Sequence, residues 1–487
     1  MVCSPPARRA RRACHWLALL APLAHLGKMP RNPDPVAYRP APIIGGVAEW
    51  LGDPVAPADF PQTVLRFRND RAAAQIGLQS LPDEDWIRHF GRFEPLADNL
   101  PHPLALRYHG HQFRVYNPDI GDGRGFLFAQ LKDGGDRILD LGTKGSGQTP
   151  YSRQGDGRLT LKGAVREILA TEMLEALGVD TSRTFCVIET GEQLERGDEP
   201  SPTRSAVLVR LQHSHIRIGS FQRLALLEEH DHLRELVDYC LRHYPGAGPP
   251  DDAPDRGDPA VRLLHQVVER MAELAASYMV AGFVHGVLNT DNMNITGESF
   301  DYGPWRFLPR WEPGFTAAYF DHAGLYAFAR QPEAMHWNIA QLAIALRSIC
   351  EAPPLIAAMD RFGPLYEAAM ARRWCQRLGL KPRGDEVDRQ LVSLSEAALR
   401  TSDEPPDAFF FRHRGGRNAG HALGEIMAQY EAVENDHDYW QGDGPETMLI
   451  EEVEAIWAAI DRDDDWGPLH AKVDALRRMG EAHRGPS

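Results

Sequence analysis

Short apolar runs, bounded by glycine and polar turn residues, characterise much of the first half of the chain. The runs cover residues 126–131, 137–141, 185–190 and 206–211. Their length and their content of β-branched and aromatic residues are typical of β-strands. Residues 161–177 differ, because their apolar positions recur at helical spacing and Gly178 stands where a C-terminal glycine cap belongs. The pattern therefore predicts a strand-rich region that is interrupted by one helix.

After about residue 225 the apolar positions recur every three or four residues, which is the period of an amphipathic helix. Asp258 and Pro259 form a helix start signal, and an apolar stripe follows as far as Gly282. Residues 337–349 and 448–460 show the same spacing. We attribute these stripes to core packing, and they predict that the second half of the chain is helical.

The order of these elements predicts an α+β protein with a two-lobed, protein-kinase-like fold. We expect a β-rich N-terminal lobe with one key helix at residues 41–225 and a larger helical C-terminal lobe at residues 226–487. The chemistry is expected at the junction of the two lobes.

The first 40 residues are predicted to form an N-terminal extension outside both lobes. Four arginines precede an apolar run at residues 16–26, as in a secretory signal, but no small-residue cleavage site follows that run. Met29 is an equally good start, in which case the residues before it are an artefact of start-site choice. The proline-rich sequence after Met29 predicts little regular structure.

Composition and charge narrow the classes of function. The 487 residues are 43% hydrophobic and 25% charged, with a formal net charge of −15. A chain this acidic is not expected to bind nucleic acid, since non-selective binding needs an excess of cations that neutralise phosphates. No membrane partner is expected either, because the apolar runs are well short of the roughly 20 residues of a span. The six cysteines show no CxxC spacing, which favours a reducing compartment, the cytoplasm.

The sharpest chemical signal is the segment from His285 to Asn292, with a downstream Asp-x-Gly that begins at Asp301. Kinase-like phosphotransferases use the same His, Asn and Asp-x-Gly, and the Asn and Asp oxygens suit Mg²⁺. The segment departs from that pattern at Val287, where a kinase has its catalytic Asp, and its acid is instead Asp291. The alternative is an ordinary loop, because Asn and Asp are common in turns.

Lys144 ends a strand-like run, and Glu167 lies on the helix that follows. Kinases position nucleotide phosphates with a strand Lys that is held by a helix Glu. By itself the pair is a weak indication, because an exposed Lys and a helix Glu are more often solvated surface. The interpretation gains weight only from the metal motif further along the chain.

Two Gly-Asp-Gly-Arg sequences, at residues 121–124 and 155–158, lie within a glycine-rich stretch. Backbone amides exposed by glycine can cradle an anion, and an Arg fork binds phosphate bidentately; the alternative is a pair of hairpin turns. Arg210 and Arg217 follow further along the chain, and for these two residues a solvated basic face is the alternative. The cations of interest are Arg124, Lys144, Arg210 and Arg217. Their presence in so acidic a chain suggests one polyanion site.

Longer motifs identify a family. They are YHGHQF at residues 108–113, GDGRG at 121–125, KGSGQTPYSR at 144–153 and HGVLNTDN at 285–292. Together they resemble the selenoprotein O family, whose members were long regarded as pseudokinases and act as protein adenylyltransferases. The resemblance extends from about residue 60 to at least residue 342.

The resemblance implies an inverted ATP in a kinase-like cleft and transfer of AMP to Ser, Thr or Tyr hydroxyls of proteins, including the enzyme itself. It implies Mg²⁺ as the metal, with Mn²⁺ as an alternative. The positions that match nucleotide-binding residues are Gly121, Gly123, Arg124, Lys144, Asp156, Gly157, Arg210 and Arg217. Asp291 matches the proton acceptor and Glu167 the acid that pairs with the lysine. Asn292 and Asp301 match the metal ligands.

Two other functions stay open from the sequence: a phosphotransferase that moves the γ-phosphate, and a non-catalytic nucleotide-binding scaffold. Val287 argues against the first, because the usual kinase acid is missing. The joint presence of Asp291, Asn292 and Asp301 argues against the second, since a non-catalytic scaffold needs no pair of metal ligands. Val284 stands where some bacterial relatives have a cysteine, so thiol control of activity is not expected.

Overall fold

The computed structural model describes residues 36–484 apart from Asp198, Asp385 and the side chain of His421. The signal-like run and Met29 therefore lie outside the described residues. At the end of the predicted extension the chain already joins the fold, because the backbone N–H of Ala41 donates to the carbonyl of Gln130 at 2.9 Å. No helix within the described residues is both long enough and apolar enough to cross a membrane.

An antiparallel β-sheet dominates the N-terminal region. The strands of the chain are β1 (Gly52–Pro54), β2 (Val64–Arg68), β3 (Leu104–Leu106), β4 (Gly110–Gln112), β5 (Val115–Asn117), β6 (Leu127–Lys132), β7 (Ile138–Lys144), β8 (Leu159–Thr160), β9 (Arg183–Leu194), β10 (Thr203–Gln212), β11 (Phe283–Val284) and β12 (Arg306–Phe307). The main sheet has the order β1-β3-β6-β7-β10-β9-β2, and β8 pairs with β10. The four predicted strands are confirmed as β6, β7, β9 and β10.

Both faces of this sheet are covered, and β10 shows how the sequence encodes that. Ala206 and Leu208 belong to one hydrophobic core, whereas Val207 and Val209 belong to another. Successive strand residues point to opposite faces, so a strand that is covered on both sides has an unbroken apolar run. This is why residues 206–209 are apolar without alternation, and Arg210 is the one charged residue of the predicted strand at 206–211.

Helices lie against both faces of the sheet. They are α1 (Ala48–Leu51), α2 (Asp70–Gln75), α3 (Asp83–Trp86) and α4 (Leu161–Ala176). The predicted helix is α4; it begins after Thr160, whose hydroxyl accepts from the N–H of Gly163 at 3.1 Å, and Gly178 follows its end with φ 82°. The other three helices were not predicted, because so few residues show no helical period in the sequence.

The C-terminal region is largely helical, as predicted. Its helices are α5 (Ile218–Leu226), α6 (His230–His243), α7 (Pro259–Ala281), α8 (Gln331–Leu346), α9 (Ala352–Met359), α10 (Phe362–Arg377), α11 (Glu386–Arg400), α12 (Pro406–His413), α13 (His421–Met427), α14 (Ile450–Asp463) and α15 (Gly467–Arg484). The caps of α7 are as expected: the Asp258 carboxylate accepts from the N–H of Ala260 at 2.8 Å, and Gly282 is left-handed with φ 64°. The stripes at 337–349 and 448–460 correspond to α8 and α14 with shifted ends.

The last helix returns to the N-terminal region and packs on α4. A Cβ atom added at Gly480 in α15 would lie 3.1 Å from Cα of Ala176, so the two backbones approach closely. Leu469, Val473 and Leu476 of α15 belong to the same core as the buried face of α4. Helix α4 is therefore held between the sheet and α15.

Candidate active site

Lys144 lies at the centre of the site, at the end of β7. Its ammonium contacts the carboxylate of Glu167 on α4, and it lies 2.7 Å from Oδ1 of Asp301. The side chains of Lys144 and Glu167 are 6% and 2% exposed. The pair is therefore buried, and the alternative of a solvated surface pair is wrong.

The carboxylate of Asp301 lies close to three cations, Lys144, Arg210 and Arg217. It lies 3.6 Å from Nη1 of Arg210 on β10 and 4.0 Å from Nη1 of Arg217, which precedes α5. Burial alone would raise the pKa of the Asp301 carboxyl, but Lys144, Arg210 and Arg217 hold that pKa well below its ordinary value. Asp301 has a left-handed backbone with φ 62°, which Asp tolerates better than most residues. The carboxylate is therefore charged and faces three cations.

Asp291 and Asn292 lie in a 3-10 turn, Thr290–Asn292, beside this cluster. The turn is fixed to the β4–β5 hairpin, because the backbone N–H of His111 donates to Oγ1 of Thr290 at 2.7 Å. Within the described part of the chain, Oδ1 of Asp291 is buried and has no hydrogen-bond partner. Burial raises the pKa of the Asp291 carboxyl to about 6. A buried carboxylate oxygen without a partner can take up a proton.

The side-chain amide of Asn292 has a defined orientation. Its Nδ2 donates to the carbonyl of Val287 at 3.0 Å, and among the described residues no hydrogen bond reaches Oδ1, the other end of the amide. An amide oxygen from Asn292 and a carboxylate from Asp301 are a suitable donor set for Mg²⁺, which takes few protein oxygens together with substrate phosphates. The residues present therefore fit the predicted metal.

Arg217 joins the first glycine-rich loop to the turn at Thr290–Asn292. Nη2 donates to Oδ1 of Asp122 at 3.0 Å, and Nη1 donates to the backbone carbonyl of Asp291 at 2.8 Å. The guanidinium lies over the rings of Tyr108 and Phe300, at 4.5 and 4.9 Å from their centroids. The Arg217 side chain is 6% exposed, so the alternative of a solvated basic face is wrong for this residue.

The two glycine-rich loops require glycine for close approach. A Cβ at Gly121 would lie 2.4 Å from Cγ of Tyr151, so only glycine allows this ring to pack on the loop. Gly157 has φ 70°, and a Cβ there would lie 2.3 Å from the backbone of Gly147. Gly123 has a similar contact with the backbone of Tyr151. Both loops are therefore packed against the segment that lies between them in the chain, residues 147–152.

Arg124 and Asp156 are more exposed than the residues of the cluster. The side chain of Arg124 is exposed, and its charge also lowers the pKa of Asp301, although less than the other cations do. Asp156 is half-exposed and pairs with Arg196 at 2.8 Å. The structure thus brings Lys144, Glu167 and Asp301 into contact and places Arg124 near Asp301, whereas the ion pair of Asp156 is with Arg196, outside this cluster.

Sequence reasoning missed two groups that shape the site. Asp122 lies inside a motif that was singled out for its glycines and arginine, but its carboxylate was not considered. Asn289 was also missed: its Oδ1 accepts from the N–H of Phe113 at 3.0 Å and from the hydroxyl of Tyr326 at 2.7 Å. Asn289 belongs to the recognised HGVLNTDN motif, which was the only available signal for it.

Comparison with known proteins confirms the resemblance. A family model described as "Protein adenylyltransferase SelO" matches residues 41–442. A protein described as "Protein nucleotidyltransferase YdiU" from Synechococcus elongatus is 41% identical over 481 residues, which cover 90% of this chain and 95% of the relative. The protein of the same description from Gloeobacter violaceus is 42% identical over 466 residues, which cover 90% of this chain and 94% of the relative. The chain therefore belongs to the SelO family of protein adenylyltransferases.

Proposed function

We propose that this SelO family member transfers AMP from ATP to Ser, Thr or Tyr hydroxyls of proteins and releases pyrophosphate. One arrangement carries the proposal: the buried cations around Asp301 lie beside the catalytic turn that contains the unpartnered carboxylate oxygen of Asp291. Cations of this kind bind polyphosphate. The carboxylate of Asp291, beside them, would serve as the base for the acceptor hydroxyl. Proteins with hydroxyl side chains, including the enzyme itself, are the proposed acceptors.

ATP is proposed to bind with its terminal phosphates at the cations. Lys144, Arg210 and Arg217 would hold the β- and γ-phosphates, and charge-assisted contacts of this kind are the strong ones. The residues proposed to complete the nucleotide site are Gly121, Gly123, Arg124, Asp156 and Gly157, with Glu167 orienting the lysine. This orientation presents the α-phosphorus to the acceptor, which is the reverse of kinase geometry.

Asn292 and Asp301 are proposed to hold Mg²⁺, with Mn²⁺ as an alternative. The fit rests on the free amide oxygen of Asn292 and on the charged carboxylate of Asp301. When bound, the metal supplies positive charge that offsets the phosphate charge.

Asp291 is proposed to accept the proton of the acceptor hydroxyl. As the hydroxyl oxygen forms its bond to the α-phosphorus, the bond from that phosphorus to the bridging oxygen of the β-phosphate breaks. The electron pair leaves with pyrophosphate, whose charge the cations stabilise. The proton passes to Oδ1 of Asp291, which has no other partner among the described residues.

The proposed fold is the two-lobed, kinase-like one, with lobes at residues 41–225 and 226–487. Support comes from the contact between a strand lysine and a helix glutamate, Lys144 and Glu167, and from the Asp-x-Gly that begins at Asp301. The proposed compartment is the cytoplasm. Its support is that the four cysteines of the described residues are unpaired.

The test uses the purified protein with Mg²⁺ and ATP labelled at either the α- or the γ-phosphate. We expect α-label to become covalently attached to protein, including the enzyme itself, and γ-label to appear in pyrophosphate. Attachment of γ-label alone would establish a kinase. Bound ATP without attachment of either label would establish a scaffold, and both outcomes contradict the proposal.

A further inference from the structure

We infer that Asp122 is a positioning residue of the transfer reaction, and that it acts through Arg217 on the turn that carries Asp291. The inference rests on the function proposed for the same site. Asp122 is the acid of the first Gly-Asp-Gly-Arg sequence, and its neighbours Gly121, Gly123 and Arg124 are those assigned to the nucleotide. Its own side chain points instead to Arg217, 95 residues further along the chain.

The carboxylate of Asp122 is fixed at both oxygens. Oδ1 accepts from Nη2 of Arg217 at 3.0 Å, and Oδ2 accepts from the backbone N–H of Leu106 on β3 at 3.0 Å. The backbone N–H of Asp122 also donates to the carbonyl of Leu106 at 3.1 Å. The Asp122 side chain is 6% exposed. A carboxylate held in this way has one orientation, so it anchors the guanidinium to the sheet.

Arg217 transmits this anchoring to the catalytic turn. Its Nη1 donates to the backbone carbonyl of Asp291 at 2.8 Å while Nη2 binds Asp122. The planar guanidinium also lies over the rings of Tyr108 and Phe300, which restrict its tilt. Because the group is rigid and engaged at both ends, the position of the Asp122 carboxylate helps to set the position of the Asp291 backbone.

Asp122 also offsets part of the charge of Arg217. A neutral amide at residue 122 would leave the guanidinium with Asp301, at 4.0 Å, as its nearest ion-pair partner. The triphosphate would then be attracted at least as strongly as before, whereas Asp291 would be less well placed. The expected signature is therefore slower transfer without weaker ATP binding. A residue that only supports the fold would weaken binding and turnover together.

The experiment compares Asp122→Asn with the wild type in the full-length protein. Pyrophosphate release from ATP in the presence of Mg²⁺ gives kcat, and titration with ATP gives Kd. We expect kcat to fall about 10- to 100-fold, the range for a displaced catalytic group, while Kd stays equal or decreases. The matched control is Asp119→Asn, an exposed acid shortly before the same loop, which should leave kcat and Kd unchanged.

A double-mutant cycle with Arg217→Gln tests the route of the effect. If Asp122 acts through Arg217, the variant Asp122→Asn/Arg217→Gln has the same kcat at saturating ATP as Arg217→Gln alone. This comparison also serves if Asp122→Asn alone fails to fold, because the double variant carries no unpaired buried guanidinium. Two outcomes would overturn this inference but not the proposed function. One is a kcat for Asp122→Asn within twofold of the wild type, and the other is a double variant in which the effects of the two substitutions on kcat are fully additive. A wild type that binds ATP but releases no pyrophosphate would overturn the proposed function and this inference with it.

Discussion

Arg477 in the last helix, α15, forms a bidentate ion pair with Glu172 in α4. The two contacts are Nε to Oε2 at 3.0 Å and Nη2 to Oε1 at 2.6 Å, and the Glu172 side chain is 4% exposed. Glu172 lies on the same helix as Glu167, the acid that contacts Lys144. The C-terminal helix thus directly contacts the helix that orients the lysine of the site.

Arg477→Ala should destabilise the protein. The substitution leaves Glu172 buried with Arg71, at 3.8 Å, as its remaining ion-pair partner. We expect the free energy of unfolding to fall by about 1–3 kcal/mol, between the values for exposed and for buried ion pairs. Denaturant titration measures the change. Arg478→Ala is the matched control, because Arg478 pairs with the exposed Asp438, so its removal should cost clearly less stability. Equal losses in the two variants would contradict the prediction.

Glu167→Gln should slow adenylyl transfer with little effect on the fold. Without the carboxylate of Glu167, the ammonium of Lys144 is drawn to Asp301 and away from the position in which we propose that it binds phosphate. We expect kcat/KM for ATP to fall about 10- to 100-fold, as for other displaced groups, measured by attachment of α-label. The control is Glu454→Gln, because Glu454 is an exposed acid on α14 that pairs with Lys162 at the start of α4. Unchanged kcat/KM in Glu167→Gln would show that the buried pair is structural only.

His265 in α7 should make stability depend on pH. Burial, and then the charge of Arg361, lower the pKa of His265 from 6.5 to about 4. The unfolded chain therefore takes up this proton first, so the contribution to stability is fully present above pH 6.5 and is lost as the pH falls toward 4. Between pH values of about 7.5 and 5, the free energy of unfolding of the wild type should fall on the order of 1 kcal/mol more than that of His265→Gln. Parallel curves for the two proteins would show that this histidine does not titrate as stated.

The sequence correctly predicts the ends of a helix when those ends are set by residues next to them in the chain. Asp258 and Gly282 cap α7 at the predicted residues, because both caps act through the backbone of the helix itself. Helix α8 instead begins at Gln331, before the predicted start at residue 337. The side chain of Gln331 accepts from the N–H of His285 at 3.0 Å and donates to the carbonyl of Phe283 at 2.8 Å. A helix start that is anchored to a distant segment leaves no periodic signal in the sequence.

The same distinction applies to the candidate site. The HGVLNTDN motif points to Asp291 and Asn292 as candidates, because the two residues are adjacent in the chain and belong to one local pattern. The ion pair of Asp122 with Arg217 could not be predicted, since the sheet brings together residues that are 95 positions apart. Motifs report residue types, whereas the partner of a buried charge depends on the fold.

Asp301→Ala should abolish turnover and leave the fold intact. The carboxylate is proposed as a metal ligand, and its removal leaves Lys144, Arg210 and Arg217 without the charge they face. We expect no attachment of α-label at any Mg²⁺ concentration, with a circular dichroism spectrum like that of the wild type. Transfer at a near wild-type rate in a Mg²⁺-dependent assay would show that the metal site is elsewhere.

Asp291→Asn should separate proton transfer from nucleotide binding. The backbone carbonyl of residue 291 still accepts from Arg217, so the turn keeps its anchor, while the amide can no longer accept a proton. We expect ATP affinity to stay within about twofold and transfer to fall by about 10²–10⁴, the usual contribution of a positioned base. Calorimetric titration with ATP and Mg²⁺ gives the first quantity, and attachment of α-label gives the second. Asp301→Ala is the informative comparison, because it should lose the Mg²⁺ dependence of ATP binding that Asp291→Asn retains. If Asp291→Asn instead loses most of its ATP affinity, Asp291 serves the metal rather than the proton.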